Sequence, residues 1–524
     1  MDNTTRKLPV GIQDFEYLRT HNYLYVDKTH YVYQLVQYGK PYFLGRPRRF
    51  GKSLFLSTLK AYFEGKAALF ESLKIAGLEK DWTTYPIIYL DFNKAEYGSV
   101  ETLKIVLDEM LKKYEKAYKV QDIAAALSIR FDNLIAEMHN TTGQKVVVLI
   151  DEYDKSLVST MNNLEVNEQT RNILKGFYGV LKSADAHLRF VFLTGVTKFS
   201  QVSIFSDLNQ LVDISLDENF AEICGISGTE LLQNFQPEIQ ALADRRKMSY
   251  DETVAKLKKY YDGYRFAKVS EDIYNPFSLL NTFGKLDFAY YWFATGTPAF
   301  LAKALRNIHF DIRKFDNDVK ISVHSIMDYR IENQNLIPLL YQSGYLTIKS
   351  YEEDGNFFVL GFPNEEVKYG FLNELLPAFV LTPITTGNFS IIEFMQQIKN
   401  GNIEEFMTSL KAFFAKIPYD AITQEHRDEQ YYQHVFYLLF TLIGEFVETE
   451  VKNNKGRADA VVKTADSIYV FEFKMDDNAT AEDALKQINS KDYAIPYTAD
   501  YRKIVKIGVE FSQPEKGIKR WLIE

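Results

Sequence analysis

The chain of 524 residues is too long for a single hydrophobic core, and its length predicts about three domains. The longest apolar run, residues 435–444, is shorter than the ~18 residues that cross a bilayer and no signal peptide opens the chain, so we expect a cytoplasmic protein without a membrane partner. The single cysteine, Cys224, excludes an internal disulfide framework and a multi-cysteine metal site, and the net charge of −9 argues against a protein that coats polyanions.

Residues 1–215 alternate strand-like and helix-like segments, as an α/β domain with a parallel sheet requires. Apolar runs rich in β-branched and aromatic residues predict strands at residues 41–44, 87–92, 146–150, 190–193 and 211–214. Helical periodicity appears between them, for example at residues 54–63 and 100–114. The run VVVLI is typical of a parallel strand that is buried on both faces.

A phosphate-binding pattern follows the first predicted strand. Gly51, Lys52 and Ser53 match the end of the Walker A sequence G-x-x-x-x-G-K-[ST]. In that loop, glycine allows close backbone approach, the lysine reaches the β- and γ-phosphates, and the hydroxyl binds Mg²⁺. We therefore predict a nucleotide site here, with Arg49 and Leu54 as further contributors.

The loop departs from the Walker A pattern at its beginning. Arg46 stands where the first glycine is expected, and Gly45 comes one residue early. A bare GKS sequence is weak evidence for a nucleotide site, so the prediction depends on a second element further along the chain.

That second element is an apolar strand, residues 146–150, followed by Asp151 and Glu152, as in a Walker B motif. Asp151 would orient the Mg²⁺ shell, and Glu152 would polarise the attacking water. Thr194, at the end of the next predicted strand, is placed like a sensor of the γ-phosphate. The alternative is a solvated acidic loop after a buried strand, which is common.

The phrases PVGIQDFEYLR, YLYVDKT, RPRRFGKS and VVVLIDEYD resemble the AAA-ATPase-like family of bacterial proteins. The resemblance implies a P-loop ATPase of the ASCE division that binds ATP and Mg²⁺, and in that family RPRRFGK is the usual form of the loop. ATPases of this kind often assemble, so a homo-oligomer is an open expectation. Arg48, Arg49 and Arg265 are candidate arginine fingers, and solvation or neutralisation of phosphate explains each equally well.

The middle of the chain, residues 216–385, is mainly helical and aromatic in pattern. Residues 339–364 predict a helix followed by a β-hairpin with its turn at 352–355, which would suit a small winged-helix-like module. We expect this region to form a helical lid next to the N-terminal domain.

The last predicted domain, residues 386–524, has the element order αβββαβ. The helices are predicted at residues 430–446 and 479–490, and the strands at 447–452, 457–463, 468–474 and 503–510. Residues 451–524 contain 13 Lys and Arg against 12 Asp and Glu, so the excess negative charge lies elsewhere. This balance is compatible with a local nucleic-acid site.

Asp459, Glu472 and Lys474 form the strongest functional pattern in the chain. Glu472 and Lys474 are two apart in an apolar strand, so their side chains leave the same face, where charges are costly unless something binds them. Two carboxylates and a lysine can hold a divalent metal beside a phosphodiester and activate water. Alternatively, Asp459 caps a hairpin, and Glu472 and Lys474 form a surface salt bridge.

The αβββαβ order with D-x12-E-x-K resembles the restriction-endonuclease-like PD-(D/E)XK nuclease superfamily, and in particular the nuclease domain often fused to this ATPase. The resemblance implies that Asp459 and Glu472 bind Mg²⁺ or Mn²⁺ and that Lys474 positions water or stabilises the phosphorane. Gln487 matches a glutamine that often lines the site. The tyrosine expected four residues later is absent, because Lys491 stands there and Tyr493 is off register.

An acidic residue on the first helix of this domain is sometimes a further metal ligand, and Glu429 and Glu445 are candidates. The resemblance as a whole implies an ATPase joined to a metal-dependent nuclease that cleaves nucleic acid, with DNA as the expected partner and ATP as a gate. The rival readings are a regulatory protein whose nuclease-like domain only binds nucleic acid or protein, and a nucleotide-binding scaffold with a silent ATPase.

Overall fold

The computed structural model describes residues 7–38, 41–120, 126–198, 210–295, 305, 310–327, 335–380, 384–416, 429–444, 448–451, 458–475, 479–512 and 517–524. The chain forms two compact units, one of Met1–Ala294 with Asn317–Glu366 and one of Thr295–Asp316 with Val367–Glu524. The chain therefore passes between the units three times. The three-domain division at residues 215 and 385 stays a prediction.

The described helices of the first unit come before, between and after the strands of a central sheet in the chain. In chain order they are α1 Phe15–Thr20, α2 Thr29–Tyr38, α3 Lys52–Phe63, α4 Lys74–Leu78, α5 Val100–Tyr118, α6 Leu127–Thr142, α7 Lys155–Ser159, α8 Leu164–Ser183, α9 Gly228–Asn234, α10 Gln236–Arg246, α11 Tyr250–Tyr261, α12 Pro276–Lys285 and α13 Ile337–Gln342.

The strands of this unit belong to three sheets. They are β1 Pro41–Gly45, β2 Ile87–Asp91, β3 Val146–Asp151, β4 Leu188–Gly195, β5 Val212–Asp213, β6 Ile226–Ser227, β7 Ile273–Tyr274, β8 Val319–Ser322, β9 Thr347–Glu352 and β10 Phe357–Gly361. The main sheet has the order β2-β3-β4-β1-β5, and its neighbouring strands are parallel. The parallel sheet predicted from the sequence is confirmed.

The order of the main sheet decides which loops meet. Strand β3 is buried along its whole length, as its continuous apolar sequence predicts. Strand β4 lies between β1 and β3, and all three run in the same direction. Since parallel strands bring their carboxyl ends to one edge, the loops after β1, β3 and β4 lie side by side.

In the described residues, the rest of the first unit is mainly helical, with two small antiparallel sheets, β6-β7 and β8-β10-β9. Helices α9 to α12 share an apolar core that includes Phe235, Leu242, Leu257 and Leu279, and capping boxes begin α9 and α11. The predicted helix and hairpin near residue 350 are present as α13, β9 and β10. Strand β8, which the sequence pattern did not predict, pairs with β10 as a third strand.

The second unit combines helices with one five-stranded sheet. Its helices are α14 Glu365–Val380, which begins at the end of the first unit, α15 Ile384–Lys399, α16 Ile403–Ala415, α17 Glu429–Ile443 and α18 Ala481–Ser490. Its strands are β11 Glu448–Val451, β12 Ala460–Lys463, β13 Ser467–Met475, β14 Lys503–Ser512 and β15 Gly517–Ile523.

The strands of this second sheet follow one another in chain order. Only β13 and β14 pair in parallel, with α18 as the crossover between them, and the other pairs are antiparallel. The predicted αβββαβ order is confirmed, and β15 adds a strand that the sequence pattern did not predict. Across the described helices of both units, none combines the length and apolarity needed to cross a membrane.

Candidate functional site

The phosphate loop, residues 45–53, joins β1 to α3 at the carboxyl edge of the main sheet. Gly51 is the N-cap of α3 and has a φ of 97°, a left-handed conformation that strains other residues. Because glycine has no capping side chain, a bound anion can accept hydrogen bonds from the first amides of the helix, where the helix dipole favours negative charge. The loop thus has the backbone of an anion-binding turn.

Lys52 is buried beneath this loop, with 5% of its surface exposed. Its ammonium group donates hydrogen bonds of 2.9 Å to the carbonyl oxygens of Arg46 and Pro47. Burial lowers the pKa of Lys52, and the nearby charges of Glu152 and Asp151 oppose that change. The lysine side chain therefore lies against its own loop. Phosphate oxygens could replace the two carbonyl oxygens as acceptors of its hydrogen bonds.

Three residues predicted from the sequence, Ser53, Asp151 and Thr194, meet at the end of β3. The Asp151 carboxylate accepts hydrogen bonds from the Thr194 hydroxyl, at 2.6 Å, and from the Ser53 hydroxyl. Burial raises the pKa of Asp151, and these two hydrogen bonds oppose the rise. The strand order explains the meeting, because β4 carries Thr194 between the Walker A and Walker B strands.

Glu152 has a φ of 50°, which is uncommon for a residue other than glycine. Its backbone N–H donates to the Thr194 hydroxyl at 3.4 Å. The turn is held by buried Asp154, whose carboxylate accepts hydrogen bonds from the backbone of Val196 at 3.1 Å and of Thr197 at 2.6 Å. Burial raises the pKa of Asp154 to about 6. Sequence reasoning missed Asp154, although the phrase DEYD contains it.

Arg46 is 1% exposed, and its side chain lies in a cage of carbonyl oxygens. The guanidinium donates to Gly45 at 2.9 Å, to Ser215 at 2.8 Å and to Phe220 at 3.0 Å, and it lies 4.2 Å from the ring centre of Phe266. This residue anchors the beginning of the loop, which accounts for an arginine at the position where the Walker A pattern has glycine.

The three candidate arginine fingers differ in their surroundings. Arg48 and Arg49 are exposed residues of the loop, and the Arg49 guanidinium lies 5.1 Å from the ring centre of Phe277. Arg265 forms an ion pair of 3.0 Å with Asp272 and donates to a backbone carbonyl, so it is engaged within its own unit. Of the three, only Arg48 and Arg49 are part of the phosphate loop.

A cavity of about 90 Å³ adjoins the phosphate loop. Its lining is mostly apolar and includes Leu24 and Val26 from the N-terminal segment, Gly51, Leu54 and Phe55 from the loop and α3, and Ile226, Phe235 and Leu280 from the later helical region. Lys28 is a charged group in the lining, and its ammonium donates to Glu230 at 2.6 Å. The cavity can take a flat apolar group attached to a phosphate.

In the second unit, Asp459 precedes β12, and Glu472 and Lys474 lie near the end of β13. The antiparallel register of these strands places Asp459 across from Glu472. Asp459 accepts a hydrogen bond from the backbone N–H of Phe473 at 2.9 Å, and the Lys474 ammonium donates to Glu472 Oε1 at 3.0 Å. The structure therefore brings the three predicted residues together.

Glu472 is only 2% exposed, which is unusual for a glutamate. Burial and the charge of Asp459 raise its pKa to about 7, with Lys474 opposing the rise. Among the described residues, its Oε2 accepts no hydrogen bond of good geometry, although the backbone of Asp459 lies near the carboxylate. A buried carboxylate oxygen without a donor is costly unless a cation or a polar ligand satisfies it.

Gln487 and Tyr493 complete the surroundings of this carboxylate. The Gln487 side-chain amide donates both to Glu472 Oε1 and to the Tyr493 hydroxyl, the latter at 3.1 Å. Helix α18 ends at Ser490, and Asp492 adopts a φ of 56°, so the chain turns back and places Tyr493 over the helix. Spacing along a regular helix could not indicate Tyr493, because the helix has already ended.

The donor set fits a divalent cation held by two carboxylates and water. In the described residues, no group of three or more His, Cys, Asp or Glu side chains is arranged to bind a metal. The side chain of Glu429 and all of Glu445, the two further ligand candidates, lie outside the described residues. Hard oxygen ligands of this kind suit Mg²⁺ or Mn²⁺.

Comparisons with known proteins cover both sites. The family model described as "Predicted AAA-ATPase" matches residues 9–205, which contain the phosphate loop and Asp151. The model described as "PD-(D/E)XK nuclease superfamily" matches residues 427–521, which contain Asp459, Glu472 and Lys474. A protein of Azotobacter chroococcum mcd 1, described as "Uncharacterized protein in vnfD 5'region", is 36% identical over 533 residues, which is 99% of each chain.

Proposed function

We propose a function from the family to which this chain belongs: it is a member of the AAA-ATPase-like family with a PD-(D/E)XK nuclease superfamily domain at its C-terminal end. In our proposal, the protein binds and hydrolyses ATP at the phosphate loop and cleaves phosphodiester bonds of DNA at the carboxylates of the second unit. ATP at the first site gates cleavage at the second.

The ATP half of the proposal assigns a role to each residue of the loop. Lys52 would release the carbonyl oxygens of its loop and donate to the β- and γ-phosphates. Ser53 and Asp151 would hold the Mg²⁺ that accompanies ATP, and Glu152 would take a proton from the attacking water. Thr194 would sense the γ-phosphate through its hydrogen bond to Asp151, which supports coupling of the two strand ends.

The apolar cavity beside the loop is the proposed place for the base. Leu54 directly follows Ser53 in α3 and lines this cavity. A phosphate at Gly51 and a base in the cavity could therefore belong to the same nucleotide. Lys28, which forms an ion pair with Glu230, would place a polar group at the edge of the bound base. Arg49, exposed at the rim of the loop, would neutralise phosphate charge.

Filling the cavity is expected to weaken ATP binding without affecting the phosphate site. Leu280→Trp replaces an isobutyl group of the cavity lining by the larger indole ring, so we expect ATP affinity to fall about 10-fold or more, which is the effect of roughly one well-placed apolar contact. Calorimetric titration with ATP and with inorganic tripolyphosphate separates the two effects, because tripolyphosphate has no base and should bind as before.

Leu286→Trp is the matched control, since Leu286 packs on the same helical core but does not line the cavity. Thermal unfolding of both variants checks that they fold. Equal ATP affinity for Leu280→Trp and the unaltered protein would contradict the placement of the base.

The nuclease half of the proposal rests on the buried Glu472 carboxylate, whose Oε2 accepts no hydrogen bond from the described residues and whose pKa is raised partly by the charge of Asp459. These two carboxylates would hold the cation, and its charge would offset the repulsion that raises the pKa of Glu472. When bound, Mg²⁺ or Mn²⁺ supplies polarisation of the phosphate and a water of lowered pKa. Lys474 would stabilise negative charge as the scissile phosphate becomes pentacovalent.

Tyr493 is expected to contribute to cleavage, although the sequence comparison with the superfamily places the tyrosine at position 491. Tyr493→Phe removes the hydroxyl that orients Gln487, which in turn holds Glu472. Loss of such supporting groups typically costs about 10–100-fold in metal affinity or activity. Plasmid cleavage across a range of Mg²⁺ concentrations checks this, and the loss should shrink as Mg²⁺ rises. Tyr497→Phe, four residues further on, should behave like the unaltered protein.

The experiment that tests the whole proposal compares cleavage of supercoiled, linear and single-stranded DNA and of RNA, with Mg²⁺, in the presence and absence of ATP. Cleavage of DNA whose rate changes with ATP supports the proposal. Identical rates would remove the gate, and no cleavage of any substrate would favour a regulatory protein whose nuclease-like domain only binds nucleic acid or protein.

A further inference from the structure

Trp292 connects the phosphate loop to the region after the main sheet. Its indole N–H donates a hydrogen bond of 3.0 Å to the backbone carbonyl of Arg48, and the side chain is 6% exposed. The ring packs edge-on against Tyr345, with 5.5 Å between ring centres. Gly344, with a φ of 89°, leaves room for Pro47, because a Cβ there would lie 2.8 Å from its ring. The Pro47–Arg48 segment is therefore held from outside the loop.

Glu366 holds Trp292 from the other side. Its Oε1 accepts a hydrogen bond of 2.7 Å from the backbone N–H of Trp292, and that N–H also lies 3.2 Å from the Ser278 hydroxyl. Glu366 is completely buried, and burial raises its pKa to about 7. A buried carboxylate is costly unless it is hydrogen-bonded, and its partners are the backbone N–H groups of Trp292 and Phe293 and the Ser278 hydroxyl, which points to a positioning role.

Both residues lie where the chain leaves the first unit. The chain passes into the second unit after Ala294, two residues beyond Trp292, and again directly after Glu366. Glu366 is also in the first turn of α14, which continues to Val380 within the second unit. Two of the three crossings are thus adjacent to one hydrogen-bonded pair.

The same loop segment also holds Lys52. The Lys52 ammonium donates to the carbonyls of Arg46 and Pro47, while Trp292 donates to the next carbonyl, that of Arg48. A triphosphate that draws the lysine away changes the hydrogen bonding of this segment. The Arg46 side chain is caged, so any adjustment falls on Pro47 and on Arg48, whose carbonyl accepts the hydrogen bond from Trp292. A ligand shifts a conformational equilibrium only if it interacts differently with the two conformations, and this change in hydrogen bonding would be such a difference.

We propose that Trp292 and Glu366 are positioning residues that carry the nucleotide state of the phosphate loop to the two crossings next to them. This inference rests on the proposed binding of ATP at the loop. The relay consists of two hydrogen bonds. The Trp292 indole donates to the Arg48 carbonyl, and the Trp292 backbone N–H donates to the Glu366 carboxylate at the start of α14.

The test replaces single hydrogen bonds of this relay. Trp292→Phe keeps a ring against Tyr345 but deletes the donor to Arg48. Glu366→Gln keeps an acceptor for the Trp292 amide, whereas Glu366→Leu removes it. We expect Trp292→Phe and Glu366→Leu to bind ATP but to lose the effect of ATP on cleavage, and Glu366→Gln to retain it. Trp82→Phe, which removes a tryptophan elsewhere in the same unit, should also retain it.

Two readouts do not require cleavage. With Trp82 and Trp521 replaced by Phe, Trp292 is the only tryptophan, and its emission should shift when ATP is added. Hydrogen exchange of residues 365–370 should change with ATP in the unaltered protein but not in Trp292→Phe.

The outcomes separate this relay from the proposed function. ATP binding in calorimetry, with no emission shift and with an unchanged ATP effect in Trp292→Phe, would overturn the relay alone. No ATP binding by the unaltered protein would overturn both.

Discussion

Replacement of Glu472 by glutamine is expected to abolish cleavage of DNA. The variant keeps the shape of the side chain and an acceptor for Lys474 and Gln487, but it removes the negative charge that would hold a cation beside Asp459. Even the supporting partners of metal ligands cost about 10–100-fold when removed, so loss of a ligand should cost more than about 100-fold. Plasmid cleavage in Mg²⁺ and in Mn²⁺ measures the effect.

Binding of the cation can be followed without any substrate. A ligand at about 100 times its Kd stabilises the folded state by about 2.7 kcal/mol, so Mn²⁺ should raise the unfolding temperature of the protein. The Glu472→Gln variant should lose this increase. It should also be more stable than the unaltered protein when no metal is present, because a neutral amide is less costly to bury than a carboxylate beside Asp459.

Glu482→Gln is the matched control for this prediction. Glu482 belongs to the same domain, is exposed, and pairs with Arg520 rather than with the buried carboxylates. It should cleave DNA and respond to Mn²⁺ like the unaltered protein. If Glu472→Gln and Lys474→Ala both cleave DNA at the normal rate, the site is not catalytic, and the activity must be sought elsewhere.

Replacement of Glu152 by glutamine is expected to stop ATP hydrolysis while leaving ATP binding intact. Glu152 is the proposed base for the attacking water, and a positioned base typically contributes about 10²–10⁴-fold to the rate. The backbone of Glu152, with its φ of 50° and its hydrogen bond to Thr194, should survive the substitution because the amide has the same shape. Release of phosphate measures hydrolysis, and calorimetry measures binding.

Lys52→Met provides the comparison, because it should lose ATP binding itself. The two variants also distinguish gating by ATP binding from gating by ATP hydrolysis. If ATP binding opens the gate, Glu152→Gln should show the ATP effect on cleavage without turnover, and if hydrolysis opens it, the effect should disappear. Unchanged phosphate release by Glu152→Gln would favour the alternative of a nucleotide-binding scaffold with a silent ATPase.

Local patterns in the sequence predicted the strands of the main sheet, the αβββαβ order and the identities of the motif residues. Strands such as VVVLI and helices such as α3 depend on apolar periodicity, which is a local property. The motif residues were likewise recognisable, because Lys52 is in a Gly-Lys-Ser pattern and Asp151 and Glu472 are acidic side chains at the end of or within an apolar strand. Strand β15 was missed, since its sequence, GIKRWLI, has only weak alternation.

The contacts of those residues depend on packing between distant parts of the chain. The cage that explains Arg46 is built from residues 215–221, about 170 positions away, and spacing cannot reveal it. Tyr493 reaches Gln487 because the backbone reverses at Asp492 after the helix ends. Burial of Glu472, which turns an acidic residue into a candidate cation ligand, arises from neighbours on separate strands and a helix. Local patterns specify elements, whereas desolvation and partner choice come from long-range packing.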